Sequence, residues 1–257
     1  MIHINNIHKS YGKKTVLNDV STSFPKGQLT SLIGPNGAGK TTLLMMMGRL
    51  LKADSGEIFL DDQNIKDIPI SVFAKNVAIL RQSQDFTMRL TVEELVAFGR
   101  FPYSRGSLTK EDYQAINDAL AFLSLEPLRQ SYIDELSGGQ RQMAFLAMTI
   151  AQQTEYLLLD EPLNNLDMKH AVQIMRALRR LCDEKKRTVI LVIHDINFAA
   201  NYSDHIVAMK SGAVHDSGPV KDMVTEEGLK ALYEIEFEIL QSKRGIVCNY
   251  FNPQEEC

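Results

Sequence analysis

The spacing of hydrophobic residues changes along the chain and predicts three consecutive regions. In residues 1–84, short apolar runs are separated by turn residues such as Pro25 and Gly27, and one helix is predicted over residues 42–50. The predicted strands cover residues 2–7, 16–24, 29–33, 57–60 and 76–81. We therefore expect the first region to be rich in strands around one strand–loop–helix unit.

The middle region, residues 85–153, has the periodicity of helices and shows no good strand. Thr91 and Glu94 have the spacing of a capping box, and Thr109 with Asp112 repeats it less ideally, because aspartate stands in place of glutamate. The apolar residues that follow on one helical face are Ala115, Ile116, Ala119, Leu120 and Leu123. The pattern predicts an inserted helical segment.

Strands and helices alternate again in residues 154–257. The continuous apolar runs 156–159 and 188–193 are typical of central parallel strands that are covered on both faces. The helix predicted between these runs carries apolar residues at Val172, Met175, Leu178 and Leu181. A turn at residues 211–212 predicts a hairpin, and the stretch after Thr225 stays unassigned.

The composition narrows the class of protein. A chain of 257 residues with 44% hydrophobic residues can bury a full core, and its net charge of -4 argues against a nucleic-acid partner. Cys182, Cys248 and Cys257 form no C-x-x-C pair, so we expect reduced thiols of a cytosolic protein. Neither a secretion signal nor a membrane-spanning run is apparent, so a role at a membrane would need a separate spanning subunit.

Residues 34–42 carry the most informative motif. Their sequence, GPNGAGKTT, fits the phosphate-binding pattern G-x-x-x-x-G-K-[ST] between a predicted strand and a predicted helix. Glycines let successive N–H groups point at one anion, and the helix N-terminus adds positive charge. Lys40 can then reach the β- and γ-phosphates of ATP or GTP, while Thr41 can ligate Mg²⁺. The nucleotide-contacting residues are predicted to be Asn36, Gly37, Ala38, Gly39, Lys40, Thr41 and Thr42.

Two further motifs, at residues 160–161 and 137–140, indicate what the chain does with the bound nucleotide. Asp160 and Glu161 end a predicted parallel strand, at the edge where such sheets bind ligands. Asp160 is suited to hold Mg²⁺ through water and Glu161 to orient or deprotonate an attacking water. A pair of solvated acids before a turn is the alternative. Residues 137–140, Ser-Gly-Gly-Gln, precede a predicted helix and expose backbone N–H groups, although a plain glycine turn has the same pattern.

With these motifs in this order, the chain resembles the ATP-binding-cassette (ABC) ATPases, and residues 137–140 are similar to their signature sequence. The resemblance runs from the first strand to at least Gly218. It implies an α/β P-loop NTPase fold with a RecA-like parallel-sheet core, an N-terminal antiparallel β region and an inserted helical subdomain. The implied core covers residues 1–84 and 154–257, and the helical subdomain with the signature covers residues 85–153.

The resemblance also implies roles that single residues would not establish. Tyr11 would stack on adenine, supported by Val16. Gln82 would contact Mg²⁺ and water in a lid loop that senses a membrane partner, and His194 would contact the γ-phosphate. Taken singly, Tyr11 could be a turn aromatic, Gln82 a surface residue and His194 a satisfied strand-end histidine. Their joint occurrence in the family's order favours the functional interpretation.

The implied ATP site is shared between two copies of the chain. The phosphate loop of one copy forms one half, and the signature of the second copy closes the other half around ATP and Mg²⁺. The signature contacts would come from Ser137, Gly138, Gly139 and Gln140. Asp167 would lie in the loop that crosses between copies, where Asn164 and Asn165 depart from the commoner Ser-Ala form. Catalysis would rest on Lys40, Glu161, His194 and Gln82.

A narrower group is also indicated by resemblance. Residues 95–103, 161–170 and 193–199 are similar to ATPases of bacterial ferric-siderophore, haem and cobalamin importers, and most similar to the siderophore group. This implies a peripheral subunit on the cytoplasmic face of the inner membrane. Its partners would be permease subunits, a second copy and, indirectly, a substrate-binding protein, but no nucleic acid. The permease would dock near residues 86–103, where the candidate contacts are Phe98, Phe101 and Tyr103.

Three other classes remain open from the sequence. A haem or cobalamin importer would carry the same ATPase, because the transported molecule never touches this subunit. An exporter's ATPase would have the same hydrolytic site. A soluble ABC ATPase acting on nucleic acid or ribosomes is disfavoured, because such proteins usually carry two cassettes, a long coiled coil or zinc modules, and none is apparent here.

Overall fold

The structure is a computed structural model that describes residues 1–81 and 88–251. Its strands are β1 Ile2–Tyr11, β2 Lys14–Phe24, β3 Leu29–Ile33, β4 Ser55–Leu60, β5 Gln63–Asn64, β6 Val77–Leu80, β7 Tyr156–Asp160, β8 Thr188–Val192, β9 His205–Lys210, β10 Ala213–Pro219, β11 Glu238–Ser242 and β12 Gly245–Asn249. Its helices are α1 Lys40–Met47, α2 Ile70–Asn76, α3 Val92–Phe98, α4 Phe101–Ser104, α5 Lys110–Phe122, α6 Gly138–Ala151, α7 Met168–Asp183, α8 Ile196–Tyr202, α9 Val220–Met223 and α10 Glu226–Tyr233.

The chain divides into two compact units. The first unit consists of Met1–Ile65 together with the chain from Ile190 onward, and the second unit is Lys66–Val189. Within the two described ranges, no helix has both the length and the hydrophobicity needed to cross a bilayer.

The first unit contains an antiparallel sheet and a largely parallel one. The antiparallel sheet has the strand order β2-β1-β4-β5, and alternating side chains of β1, such as Ile2 and Ile4, are buried in it. In the other sheet, β3 pairs in parallel with β9, β9 pairs antiparallel with β10, and β8 follows β3 in the strand order. Every residue of β3 is buried, including the polar Thr30 and Ser31, as expected for a central strand that is covered on both faces.

The second unit combines the parallel pair β6 and β7 with the predicted helical segment. The capping boxes at Thr91 and Thr109 are both formed, and they begin α3 and α5. The predicted apolar face of α5 is buried at Ala115, Ile116, Ala119 and Leu120, with Leu123 just after the helix end. Helices α3, α5 and α6 pack against one another, so this segment has its own apolar core. The expected fold class, with parallel strands, an antiparallel N-terminal sheet and inserted helices, is confirmed.

Helix α2 was missed by the sequence analysis. This helix has only seven residues. Ile70 and Val72 are exposed, and Phe73 is its one buried side chain. Without an apolar stripe, the periodicity gives no helical signal. Asn76 belongs to this helix rather than to the strand that follows, so β6 is shorter than predicted. The stretch after Thr225, which stayed unassigned, forms α10 and the hairpin of β11 and β12.

Candidate functional site

The phosphate loop, residues 34–42, lies between the fully buried β3 and the start of α1. Lys40 is only 5% exposed, and its ammonium group donates to the carbonyl oxygens of Gly34 at 2.7 Å and Pro35 at 2.9 Å. The loop therefore curls around its own lysine. A phosphate bound to the loop would meet an ammonium group that is already held in place, which lowers the entropy lost on binding.

The backbone of this loop requires glycine at its first position. Gly34 has a φ of 134°, and a Cβ there would lie 2.0 Å from the carbonyl oxygen of Met209 on β9. Val16 lies beside the end of the loop, because its carbonyl oxygen is 3.0 Å from where a Cβ of Gly39 would be. The structure thus brings Val16 to the phosphate loop. Tyr11 ends β1 with its ring 52% exposed, as a side chain available for stacking would be.

The acidic pair lies at the carboxyl end of β7, as predicted. Asp160 is the last residue of the strand and is 2% exposed. Glu161 follows in a left-handed conformation with a φ of 49°, which turns the chain sharply away from the strand. The side-chain amide of Asn164 donates to the Glu161 carboxylate. The asparagine that departs from the commoner form of this loop therefore holds the residue predicted to act on water.

His194 follows β8 and precedes α8. Its neighbour Asp195 caps α8 by accepting from the N–H groups of Asn197 and Phe198. From the same helix, two asparagine side chains bond to the backbone of β12: Asn197 accepts from the Cys248 N–H at 2.8 Å, and Asn201 accepts from the Ile246 N–H at 2.8 Å. The C-terminal hairpin is therefore joined to the helix that follows the predicted switch histidine.

Residues 137–140, the signature segment, form a capping box at the start of α6. The Ser137 hydroxyl accepts from the Gln140 N–H, and the Gln140 side-chain oxygen accepts from the Ser137 N–H at 3.0 Å. A Cβ at Gly138 would meet nothing within 4 Å, so this side of the helix start is open. The capping box formed by Ser137 and Gln140 thus fixes the backbone at the helix N-terminus, which would face an anion.

Asp167 caps α7 in the same unit. Its carboxylate accepts from the backbone N–H of His170 and lies 2.8 Å from the His170 ring nitrogen Nδ1. The His170 backbone N–H, and then its ring, hold the pKa of the Asp167 carboxyl below its ordinary value. The ring of His170 also packs against Gly139, where a Cβ would lie 2.3 Å from the ring carbon Cγ. Sequence reasoning gave His170 no role.

Arg100 was also missed, although it lies in a stretch that carries the importer resemblance. It is 4% exposed, donates to Asp112 at 2.8 Å, and donates to the Ala151 carbonyl at the end of α6 at 2.8 Å. Burial alone would raise the pKa of Asp112, but hydrogen bonds from the Thr109 backbone and from Arg100 outweigh it and hold that pKa below its ordinary value. From the sequence, Arg100 is simply the one charged residue in the otherwise apolar and aromatic stretch of residues 95–103.

The buried arginine supports a patch of exposed aromatic side chains. The guanidinium carbon of Arg100 lies 4.0 Å from the centre of the Tyr103 ring, and Phe98 and Phe101 are 45% and 60% exposed. Helix α4, which carries Phe101 and Tyr103, packs against α2, whose Ile70 and Val72 are exposed as well. The exposed residues Ile70, Val72, Phe98, Phe101 and Tyr103, called the aromatic patch below, form an apolar surface of the kind that marks a protein interface.

One predicted site residue, Gln82, lies outside the described residues. Of the others, the structure joins Lys40 to Val16 through the phosphate loop and joins Asp167 to Gly139 through His170. Among the described residues, no cluster of three histidine, cysteine or acidic side chains that could hold a metal ion is found.

Comparisons with known proteins fit this set of motifs. The sequence profile of the family described as "ABC transporter" matches residues 17–164. The petrobactin import ATP-binding protein YclP of Bacillus subtilis is 52% identical over 98% of this chain and 100% of its own length. FatE of Bacillus anthracis, also named a petrobactin import ATP-binding protein, is 48% identical over 97% of this chain and 100% of its own length. The ferric enterobactin transport ATP-binding protein FepC of Escherichia coli is 37% identical over 90% of this chain and 86% of its own.

Solved structures agree at the level of the fold. The dimeric structure of MJ0796, titled a bacterial ABC transporter cassette, superposes with a TM-score of 0.77 at 29% identity and covers 86% of this chain and 99% of its own. A putative metal-chelate type ABC transporter in an inward-facing conformation superposes with a TM-score of 0.83 over 97% of both chains. Its identity of 23% supports the fold alone.

Proposed function

Because the chain belongs to the ABC transporter family, we propose that it is the ATP-hydrolysing subunit of an importer that takes up an iron–siderophore complex through a separate permease. The observation that carries the proposal is the 52% identity to a petrobactin import ATP-binding protein over that relative's whole length. FatE, named for the same substrate, and FhuC, named for iron(3+)-hydroxamate import, are also similar over most of this chain.

The phosphate loop supplies one half of the proposed ATP site. Its N–H groups and the N-terminus of α1 face the β- and γ-phosphates, and the Lys40 ammonium group, which the Gly34 and Pro35 carbonyl oxygens hold at the loop, binds the phosphate oxygens. Tyr11, at the exposed end of β1, covers the adenine ring. Most of the catalytic effect then comes from positioned positive charge, since phosphoryl transfer needs little covalent participation by the protein.

The chain also offers oxygen donors of the kind that Mg²⁺ binds. These are the Thr41 hydroxyl beside Lys40 and the Asp160 carboxylate at the end of β7, and hydroxyl and carboxylate oxygens fit a hard cation. Gln82 is the third donor that we propose. When bound, Mg²⁺ would offset phosphate charge. Glu161 accepts a proton from the attacking water, and His194 hydrogen-bonds to the γ-phosphate.

A second copy of the chain completes the site. The open N-terminus of α6 at Gly138, with Ser137 as its cap, presents backbone N–H groups to the phosphates held by the first copy. The dimeric form of the MJ0796 cassette supports this arrangement. A homodimer would hold two ATP molecules.

The permease docks on the aromatic patch. Exposed Phe101 and Phe98 provide area to bury, and α4, which carries Phe101, is held by packing against α2. Docking to a membrane permease would hold this subunit at the cytoplasmic face of the membrane.

The decisive experiment is uptake of iron-labelled chelates by the source cells, with wild-type protein compared with Lys40→Ala at equal expression. Petrobactin is the first chelate to test, followed by a hydroxamate and enterobactin, because similar proteins are named for these three. We expect uptake of one chelate class to be lost in the variant. Unchanged uptake of all three, with ATP hydrolysis abolished in the purified variant, would contradict the iron assignment and leave haem, cobalamin or export to be tested.

A further inference from the structure

His170 joins two segments that the proposed mechanism treats as separate. Its Nδ1 lies 2.8 Å from the carboxylate of Asp167, the residue that caps α7 and belongs to the loop expected to cross to the second copy. Its ring packs on Gly139 of the signature segment, at the start of α6. Asp167 and Gly139 both have a proposed role in the ATP site, and the His170 ring contacts both of them.

The fit at Gly139 is tight and differs from that at its neighbour. A Cβ on Gly139 would lie 2.3 Å from Cγ and 2.5 Å from Cδ2 of His170, well inside van der Waals contact, whereas a Cβ on Gly138 would meet nothing within 4 Å. Gly139 is buried and Gly138 is exposed. One side of the helix start is thus open for a ligand, and the other side is backed by the imidazole.

Hydrogen bonding fixes the orientation of that imidazole. The Asp167 carboxylate accepts from both the backbone N–H and the Nδ1 position of His170, so the ring cannot rotate about its Cα–Cβ bond without breaking a contact with Asp167. The His170 side chain is only 22% exposed, while that of Asp167 is 64% exposed. The carboxylate is therefore a surface group that holds a largely covered ring, and the ring in turn holds Gly139.

We propose that His170 is a positioning residue that ties the signature backbone at Gly139 to Asp167, so that both segments meet the second copy's ATP as one unit. This inference rests on the proposed dimeric ATP site. N–H groups stabilise a phosphate only when they are oriented before it arrives, and a displacement of about 1 Å can cost about 100-fold in rate. A ring that backs Gly139 limits such displacement.

The first test compares three substitutions of His170 in the full-length protein. His170→Ala removes the ring and its Nδ1 bond to Asp167 but keeps the backbone bond, His170→Asn keeps a donor near the Nδ1 position, and His170→Phe keeps a ring without the donor. We expect His170→Ala to lower the kcat for ATP hydrolysis by roughly 10- to 100-fold. ATP affinity of the monomer should stay unchanged, because the phosphate loop lies in the other unit. The Asn and Phe variants should each recover part of the loss.

A double-mutant cycle tests the contact itself. Gly139→Ala pushes a methyl group into the His170 ring, so its cost should be smaller when His170 is already alanine. The same four proteins should be compared in the Glu161→Gln background for ATP-dependent dimer formation by analytical ultracentrifugation. His170→Ala should shift the dimerisation midpoint to higher protein concentration.

A matched control separates positioning from helix capping. Thr225 caps α10 in the other unit through a bond from the Gly228 N–H at 3.1 Å, so Thr225→Ala removes a helix-cap bond far along the chain from the signature, whereas His170→Ala keeps the backbone cap bond to Asp167. The proposal is overturned if His170→Ala and Thr225→Ala have the same kcat, or if the effects of Gly139→Ala and His170→Ala simply add. An inactive wild type that fails to bind ATP would overturn the proposed function as well, whereas an active wild type insensitive to His170 overturns only this inference.

Discussion

The phosphate loop and the segment of residues 98–104 are held in place by different kinds of contact. In the loop, Lys40 donates to carbonyl oxygens five and six positions away, and Gly34 adopts a backbone conformation that favours glycine. In residues 98–104, Arg100 bonds to Asp112 and to the carbonyl of Ala151, which is 51 positions away. The first segment is organised largely by its own backbone, and the second by buried contacts with α5 and α6.

This difference indicates that a substitution can change ATP hydrolysis and the free energy of unfolding separately at some positions and not at others. Glu161, the residue proposed to act on water, directly follows the end of β7, and its change to glutamine alters the chemistry with almost no change in side-chain volume. The aromatic patch differs, because its Tyr103 ring lies against the guanidinium group of the buried Arg100–Asp112 ion pair. We expect three substitutions to separate these properties, from the largest effect to the smallest.

Glu161→Gln should have the largest effect and should act on chemistry alone. An amide cannot accept a proton from water, so turnover should fall on the order of 10²- to 10⁴-fold while ATP binding and dimer formation persist. Steady-state ATP hydrolysis and ATP-dependent sedimentation measure the two properties. Glu126→Gln, an exposed carboxylate of the same unit, is the control and should keep normal turnover. Near-normal hydrolysis by Glu161→Gln would refute the role assigned to Glu161.

Arg100→Met should have the next largest effect and should act on folding. It leaves the Asp112 carboxylate buried without its partner, which typically costs about 3–5 kcal/mol of unfolding free energy. Denaturant titration measures the loss. The double variant Arg100→Met/Asp112→Leu removes both charges and should recover part of the stability, but not all, because it also removes the Asp112 bonds of the α5 capping box. If Arg100→Met changed the unfolding free energy by less than about 1 kcal/mol, the contrast between the two segments would not hold.

Phe101→Ser should have the smallest effect on the isolated protein. Its ring is 60% exposed, so stability should change by no more than about 0.5 kcal/mol and basal ATP hydrolysis should be unaffected. Binding to the permease, measured by co-purification from membranes, should weaken. Tyr113→Ser removes a ring that is 49% exposed on α5, outside the aromatic patch, and should leave permease binding intact. Equal binding by the two variants would argue against this docking surface.

Local motifs were the most predictable part of the molecule. Strand β3 has the predicted bounds, and the caps at Thr91, Thr109 and Ser137 all form as their spacing indicates. Each of these depends on residues within a few positions of one another, so the sequence contains all the partners. Helix α2 was not predictable, because its exposed apolar residues serve a surface and leave no periodic stripe.

The sequence by itself determined that the chain carries a phosphate loop, an acidic strand end and a signature segment, in the order found in ABC ATPases. Tertiary structure alone decided that Arg100 supports the aromatic patch and that His170 backs Gly139. The physical reason is distance along the chain. A phosphate loop or a helix cap is made by near neighbours, whereas Arg100 meets Ala151, and His170 meets Gly139, only after helices have packed and brought remote positions into van der Waals and hydrogen-bond range.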